Sequence, residues 1–169
     1  MNTHRKSSGI LAAALGAALM LTVPVQAHHS FSIFDASVTR VFTGVVTRVN
    51  PDANHLQIFF APMNAERKNV ERGADGKPIV WAVEMTGSAQ AARDGISVST
   101  FAPGTIFSVG LHPLRSGEPA GAREGGMVRC PDKTPPAAGM HCDSVEGSVS
   151  YGGVALPVDG ASSEAPNYQ

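Results

Sequence analysis

The order of short β-like segments constrains the fold of this chain most. Four short runs rich in apolar residues are separated by turn residues at Pro51, Gly76 and Pro103-Gly104. The predicted strands span residues 38–49, 55–60, 79–85 and 105–111, and a short helix is predicted over 88–93. Three strands, a helix and then at least two further strands predict a mostly β, small OB-like Greek-key barrel with one short helix. A meander sheet and a sandwich remain open as alternatives.

Local signals refine this prediction. Ser88 is the expected N-cap of the helix and Gly95 its stop, because these residue types favour those positions. Gly44 lies inside the first predicted strand, which predicts a bulge or a sharp bend there. One or two further strands are expected within 126–129, 145–149 and 154–156. The expected core residues are Val45, Leu56, Ile58, Ile79, Trp81, Val83, Ile106 and Val109.

The N-terminus has the pattern of a secretory signal. Arg5 and Lys6 precede an apolar stretch at residues 9–23, and the sequence Val-Gln-Ala ending at Ala27 fits the small-x-Ala cleavage pattern. We therefore expect residues 1–27 to be a signal peptide, 28–156 to form a single β-barrel-like domain and 157–169 to be a flexible tail. This predicts a periplasmic or secreted protein with no membrane span in the mature chain; an uncleaved N-terminal anchor is the alternative.

Composition narrows the range of functions. The chain has 13 basic and 14 acidic side chains, and removal of residues 1–27 leaves 11 basic ones, so no basic surface for a nucleic acid is expected. Neither a Gly-x-Ser-x-Gly nucleophile motif nor a phosphate-binding Gly-rich motif followed by Lys occurs in the sequence. We therefore expect a protein that is not an enzyme.

The two cysteines, Cys130 and Cys142, are expected to form a disulfide. An even pair in an exported chain usually does so, and the intervening sequence is rich in Pro. The alternative is a metal site formed by Cys130, His141 and Cys142, but zinc sites usually show closer ligand pairs.

Several short motifs together resemble the DUF6152 family of small exported bacterial proteins. The resemblance covers about residues 28–117 and implies export and a small β domain, without an activity. Asp52 stands where the family has a histidine after Asn-Pro, with His55 three residues later, and segments 61–78 and 130–142 are expected to be additions. The motifs that carry the resemblance are His28-His29-Ser30-Phe31, Asn50-Pro51, Trp81-Ala82-Val83-Glu84, Pro103-Gly104 and His112-Pro113-Leu114-Arg115-Ser116-Gly117.

The histidines indicate metal chemistry at the mature N-terminus. Cleavage after Ala27 gives His28 a free α-amine, which with its own imidazole can chelate a metal, and His29 adds a second imidazole. Nitrogen ligands of this kind suit Cu or Zn. His112 or His55 is the expected third contributor. The sequence thus predicts an exported, non-enzymatic protein that binds Cu(II) through His28, His29 and His112.

Other interpretations of these residues stay open. The two N-terminal histidines can instead be part of a docking segment in which Phe31 and Phe34 pack on the barrel. The segment after His112 can be a turn fixed by an ion pair between Arg115 and a carboxylate such as Glu84. In that case the protein is a metal-free OB-type module that binds an unknown protein, peptide, saccharide or other small ligand.

Overall fold

The computed structural model describes residues 31–51 and 55–160. Six strands and one α-helix follow one another in these parts of the chain, with 3-10 turns at Phe31–Ile33 and Cys142–Ser144. The strands are β1 (Arg40–Asn50), β2 (His55–Pro62), β3 (Trp81–Gly87), β4 (Ile106–Pro113), β5 (Ala120–Arg129) and β6 (Val149–Tyr151), and the helix is α1 (Ser88–Arg93).

Strands β1 to β5 close into a barrel. Residues 44–50 of β1 pair antiparallel with β2, and residues 40–45 pair antiparallel with β4. Strand β2 continues to β3, β4 continues to β5, and a parallel pairing between β3 and β5 closes the ring. This is the strand order of an OB barrel, with α1 between β3 and β4, so the predicted fold class is confirmed. Strand β6 extends the sheet beside β5.

Apolar side chains on the inner faces of the strands fill the barrel. Leu56, Ile58, Val83 and Val109 are buried as predicted. The prediction was wrong for Val45, Ile79 and Ile106, which are only partly buried and lie outside this core. Trp81 is also partly buried, but it packs against the core as predicted. Val46 is the core residue of this part of β1, and the rings of Phe60, Phe101 and Phe107 supply much of the apolar volume that Leu and Val leave open.

Gly44 is a point of close approach rather than the bulge that the sequence suggested. A Cβ at this position would lie 2.6 Å from the Phe60 ring and 2.8 Å from the Ala61 carbonyl oxygen. Gly44 pairs with both β2 and β4, so β1 is shared between two neighbours here. The register shift lies further along, between Val46 and Arg48.

The predicted limits of several elements needed correction. The third strand begins at Trp81 rather than at Ile79, and the N-cap of α1 is Gly87 rather than Ser88. Gly95 does end the helix: it has φ +76°, and the amides of Gly95 and Ile96 donate to the carbonyls of Ala92 and Ala91 in the last turn. Residues 145–148 and 154–156 are not strands; the sixth strand is β6.

The expected disulfide joins Cys130 to Cys142, with their Cα atoms 5.0 Å apart. Both cysteines are buried in a small apolar cluster that lies apart from the barrel core. The loop that they close also contacts segment 61–78, since the Gly139 amide donates to the Ala65 carbonyl. The two segments expected to be additions therefore support each other on one side of the barrel.

The chain after β6 returns to the barrel. The Gly126 amide donates to the Ala155 carbonyl, and the Gly160 amide donates to the Thr39 carbonyl. Residues 161–169, the rest of the expected tail, lie outside the described residues, as does the expected signal peptide. Within residues 31–51 and 55–160, no helix has the length and apolar character needed to cross a membrane.

Candidate functional site

His112 lies near the end of β4 and is held from both sides of its ring. The preceding residue, Leu111, points into the core, so the His112 side chain lies on the outer face of the barrel. Its Nδ1 is 2.9 Å from the carbonyl oxygen of Val38, which can only accept, so Nδ1 carries a proton and donates it. Its Nε2 is 3.2 Å from Oε2 of Glu124. These two contacts fix the orientation of the His112 ring.

Residues 31–39, which we term the N-terminal arm, lie along this end of β4. The Asp35 amide donates to the Pro113 carbonyl over 2.8 Å, and the Arg115 amide donates to the Ile33 carbonyl over 2.9 Å. Phe34 is buried and forms a β-bridge with Leu114. The arm that follows His28 and His29 in the sequence is thus docked beside His112, and the expectation that Phe34 packs on the barrel is confirmed.

Arg115 is paired with Asp35 rather than with Glu84, so the predicted partner was wrong. Its guanidinium lies 3.6 Å from the Asp35 carboxylate and also donates to the Ser32 carbonyl. Hydrogen bonds from the Ser37 hydroxyl and amide hold the pKa of Asp35 below its ordinary value, with further help from the charges of Arg115 and His112. This ion pair lies at the surface and adds little to the backbone hydrogen bonds that hold the arm against β4.

His55 does not join this group. It begins β2, and its Nδ1 lies 3.1 Å from the Met85 carbonyl. β2 begins beside the end of β1, whereas His112 lies beside the start of β1. The two histidines therefore lie beside opposite ends of β1.

His141 belongs to a buried polar chain on the outer face of β1 and β4. The Cys142 amide donates to Ser108 Oγ over 2.9 Å, Ser108 Oγ is 2.7 Å from Thr43 Oγ1, and Thr43 Oγ1 is 2.9 Å from His141 Nδ1. Every proton has an acceptor when Ser108 donates to Thr43 and Thr43 donates to His141. Burial, and then the charge of Arg67, lower the pKa of His141, which favours this neutral acceptor form.

The sequence analysis predicted neither this chain of hydrogen bonds nor the contact of Glu124 with His112. Thr43 and Ser108 occupy outward positions of their strands, where hydroxyl side chains usually meet water. Glu124 lies within β5, although the surrounding sequence is rich in Gly. The first residues of this strand, from Ala120 onward, are small or polar and show no regular alternation, so no local signal marks this part of β5.

The described residues do not complete a metal site. Within residues 31–51 and 55–160, no group of three or more His, Cys, Asp or Glu side chains is placed to hold a metal ion. His112 contributes one nitrogen and Glu124 one carboxylate, while His28 and His29 lie outside the described residues. Any nitrogen ligands beyond His112 at this end of the barrel must therefore come from outside the described part of the chain.

Comparison with known proteins gives one match. No curated protein and no solved structure matches the chain. The match is to a family model whose description is that of a family of unknown function, and it extends over residues 17–123, more than half of the chain. It includes the N-terminal arm, His112 and the first part of β5. The chain belongs to the DUF6152 family.

Proposed function

We propose that this protein is an exported, non-enzymatic Cu(II)-binding protein whose site is formed by the mature N-terminus and the His112 end of the barrel. The observation that carries the proposal is the docking of the N-terminal arm on His112. The Val38 carbonyl accepts a hydrogen bond from the His112 ring, and the amides of Asp35 and Arg115 hold the arm beside it through backbone hydrogen bonds.

The reach of the chain supports this proposal. Arg115 Nε donates to the Ser32 carbonyl over 3.1 Å, which fixes Ser32 close to the end of β4. Three peptide units separate Ser32 from His29, and they can span at most about 11 Å. This short covalent link is the reason why the proposal assigns His29 to the same site as His112.

The chemistry of the donors selects the metal. The proposed ligands are the α-amine and imidazole of His28, the imidazole of His29 and Nε2 of His112. Neutral nitrogen donors favour Cu(II) among the divalent first-row metals, whereas Mg(II) and Ca(II) prefer oxygen. His112 already donates Nδ1–H to a backbone carbonyl, the arrangement that orients metal-binding histidines in general.

Export is part of the proposal because the α-amine of His28 exists only after cleavage. The pattern of residues 1–27 supports this, and the Cys130–Cys142 disulfide suits an oxidising compartment. The intact mass of protein isolated from the exporting cell should equal that of residues 28–169. A mass that includes residues 1–27 would remove the basis of the proposal.

Calorimetric titration of that protein with Cu(II) tests the binding itself. We expect Cu(II) to bind far more tightly than Mg(II) or Ca(II), and the affinity to drop strongly in His28→Ala and in a form with one residue added before His28. His141→Ala is the matched control, since His141 belongs to a separate polar chain. Equal Cu(II) affinity of the wild type, His28→Ala, the extended form and His141→Ala would mean that the binding is adventitious, which would contradict the proposal.

One surface feature favours the second candidate, a metal-free binding module. The Arg48 guanidinium lies 3.8 Å from the centre of the Phe59 ring, on the outer face of β1 and β2. OB folds commonly bind ligands on the face of their second and third strands. Loss of saccharide or peptide binding in Phe59→Ala, with Cu(II) affinity negligible in the wild type, would favour this function.

A further inference from the structure

The end of the loop that the disulfide closes is held by contacts at four successive residues, 139–142. Two of these contacts are with segment 61–78, and the other two are with hydroxyl groups of β1 and β4. We term residues 139–142 the latch. The contacts join the Gly139 amide to the Ala65 carbonyl, Arg67 Nε to the Met140 carbonyl, His141 Nδ1 to Thr43 Oγ1 and the Cys142 amide to Ser108 Oγ.

The latch covers a polar patch on the outer face of β1 and β4. Thr43 and Ser108 point out of the barrel, yet Thr43 is 1% exposed and Ser108 is fully buried. Cys142 is also fully buried, whereas His141 is only partly buried. Water can therefore reach the two hydroxyl groups only when the latch moves away from them.

The direction of the hydrogen bonds under the latch depends on the charge of His141. The Cys142 amide can only donate, so Ser108 Oγ accepts from it and gives its own proton to Thr43. Thr43 in turn donates to the neutral His141 ring. In protonated His141 both ring nitrogens are donors, so Thr43 must turn its proton back toward Ser108. The buried Ser108 proton then loses its acceptor, which disfavours the closed latch.

Charged groups from three segments lie near His141, while β1 and β4 contribute the uncharged hydroxyl groups. Arg67 belongs to segment 61–78, Asp143 to the second 3-10 turn and Asp159 to the chain after β6. Burial of the ring, followed by the charge of Arg67, lowers the pKa of His141, and the two carboxylates act against this effect. The closed latch therefore favours the neutral acceptor form of the ring, and protonation requires acid.

We infer that the latch is a pH-sensitive switch: protonation of His141 releases it from the barrel and uncovers the two hydroxyl groups beneath it. In the open state the His141 ring can carry its proton in water, and the Ser108 hydroxyl can donate to water. The release is local, because the disulfide still joins the last residue of the latch to Cys130. This switch needs neither copper nor the ligands of the proposed copper site.

Hydrogen exchange of the Cys142 amide measures how often the latch opens. Nuclear magnetic resonance of ¹⁵N-labelled protein with its disulfide intact follows this amide, after correction for the intrinsic effect of pH on exchange. A free histidine titrates at about pH 6.5, so protection of the Cys142 amide should fall about three- to tenfold between about pH 7.5 and about pH 5.5. The Ala82 amide, which donates to the Pro119 carbonyl, should be at least about tenfold better protected at both pH values, because a local opening leaves the barrel closed.

His141→Asn is the matched variant, because its Oδ1 can accept from Thr43 but does not titrate in this range. Protection of its Cys142 amide should be the same at both pH values, whereas His55→Asn should behave as the wild type does, since His55 lies at the start of β2. Wild-type protection of Cys142 that does not change with pH would overturn the inference, as would protection equal to that of Ala82. An equal loss of protection in His141→Asn would also overturn it, because the pH dependence would then belong to another group.

Discussion

Replacing Thr43 with valine should destabilise the barrel, because the Thr43 hydroxyl joins Ser108 to His141. Thr43 is 1% exposed and Ser108 is fully buried, so water cannot replace a lost partner there. Valine has nearly the same shape as threonine but can neither accept a hydrogen bond from Ser108 nor donate one to His141. The substitution therefore removes two hydrogen bonds without creating a cavity.

The magnitude follows from which group is left unpaired. The Ser108 hydroxyl keeps the hydrogen bond from the Cys142 amide but loses the acceptor of its own proton. A buried donor without an acceptor costs about 1–3 kcal/mol. His141 is only half-buried and can turn to water, so the loss of its bond adds little. We expect Thr43→Val to lower the free energy of unfolding by about 1–3 kcal/mol in total.

Equilibrium unfolding in urea, with the disulfide intact, measures this loss. Thr47→Val is the control, since Thr47 is exposed on the same strand, and it should change the free energy of unfolding by less than about 0.5 kcal/mol. In the double variant Thr43→Val/Ser108→Ala the loss should be smaller than the sum of the two single losses, because the unpaired hydroxyl is gone. Equal stability of Thr43→Val and Thr47→Val would refute the reasoning.

Three further predictions concern stability. Reduction of the Cys130–Cys142 disulfide should lower the free energy of unfolding by about 3 kcal/mol, and unchanged urea unfolding after reduction would contradict a stabilising role. The pKa of His141 is lowered in the folded protein, so below about pH 6.5 the unfolded chain binds more protons and the free energy of unfolding should fall. His141→Gln should lose that part of the pH dependence, and a pH dependence equal to that of the wild type would contradict this prediction. Gly44→Ala should lower the free energy of unfolding by about 1–3 kcal/mol through its clash with the Phe60 ring. Gly87 has open space around it, so Gly87→Ala should lower this free energy clearly less, and equal losses in the two variants would exclude the clash.

The sequence was sufficient to predict the barrel because each of its first four strands has a local sequence signal. Alternation in β2 places Leu56 and Ile58 on one face, and Gly or Pro ends each run, so the order of elements follows without knowledge of distant contacts. The disulfide followed from the number of cysteines and the expected compartment. Only the last part of β5 was predicted, because its Ala and Gly residues show little hydrophobic periodicity. Its glycines are needed instead for the close contact with the chain after β6, which packs across this strand.

The candidate site was less accessible to sequence reasoning, because it depends on which segments meet in space. His112 was identified from its motif, but its partners come from other parts of the chain: Val38 from the N-terminal arm and Glu124 from β5. Arg115 was expected to pair with Glu84, whereas the docked arm brings Asp35 closer. These pairings depend on long-range placement that no local pattern encodes.

The most direct test of the account is to map the copper site by nuclear magnetic resonance. Cu(II) broadens the signals of nearby nuclei, so one equivalent added to ¹⁵N-labelled protein starting at His28 marks its own position. The account predicts loss of the amide signals of Val38, Leu114 and Glu124, which surround His112, while those of His55 and His141 stay sharp. Broadening centred on His55 or His141, with the signal of Glu124 unchanged, would contradict the account.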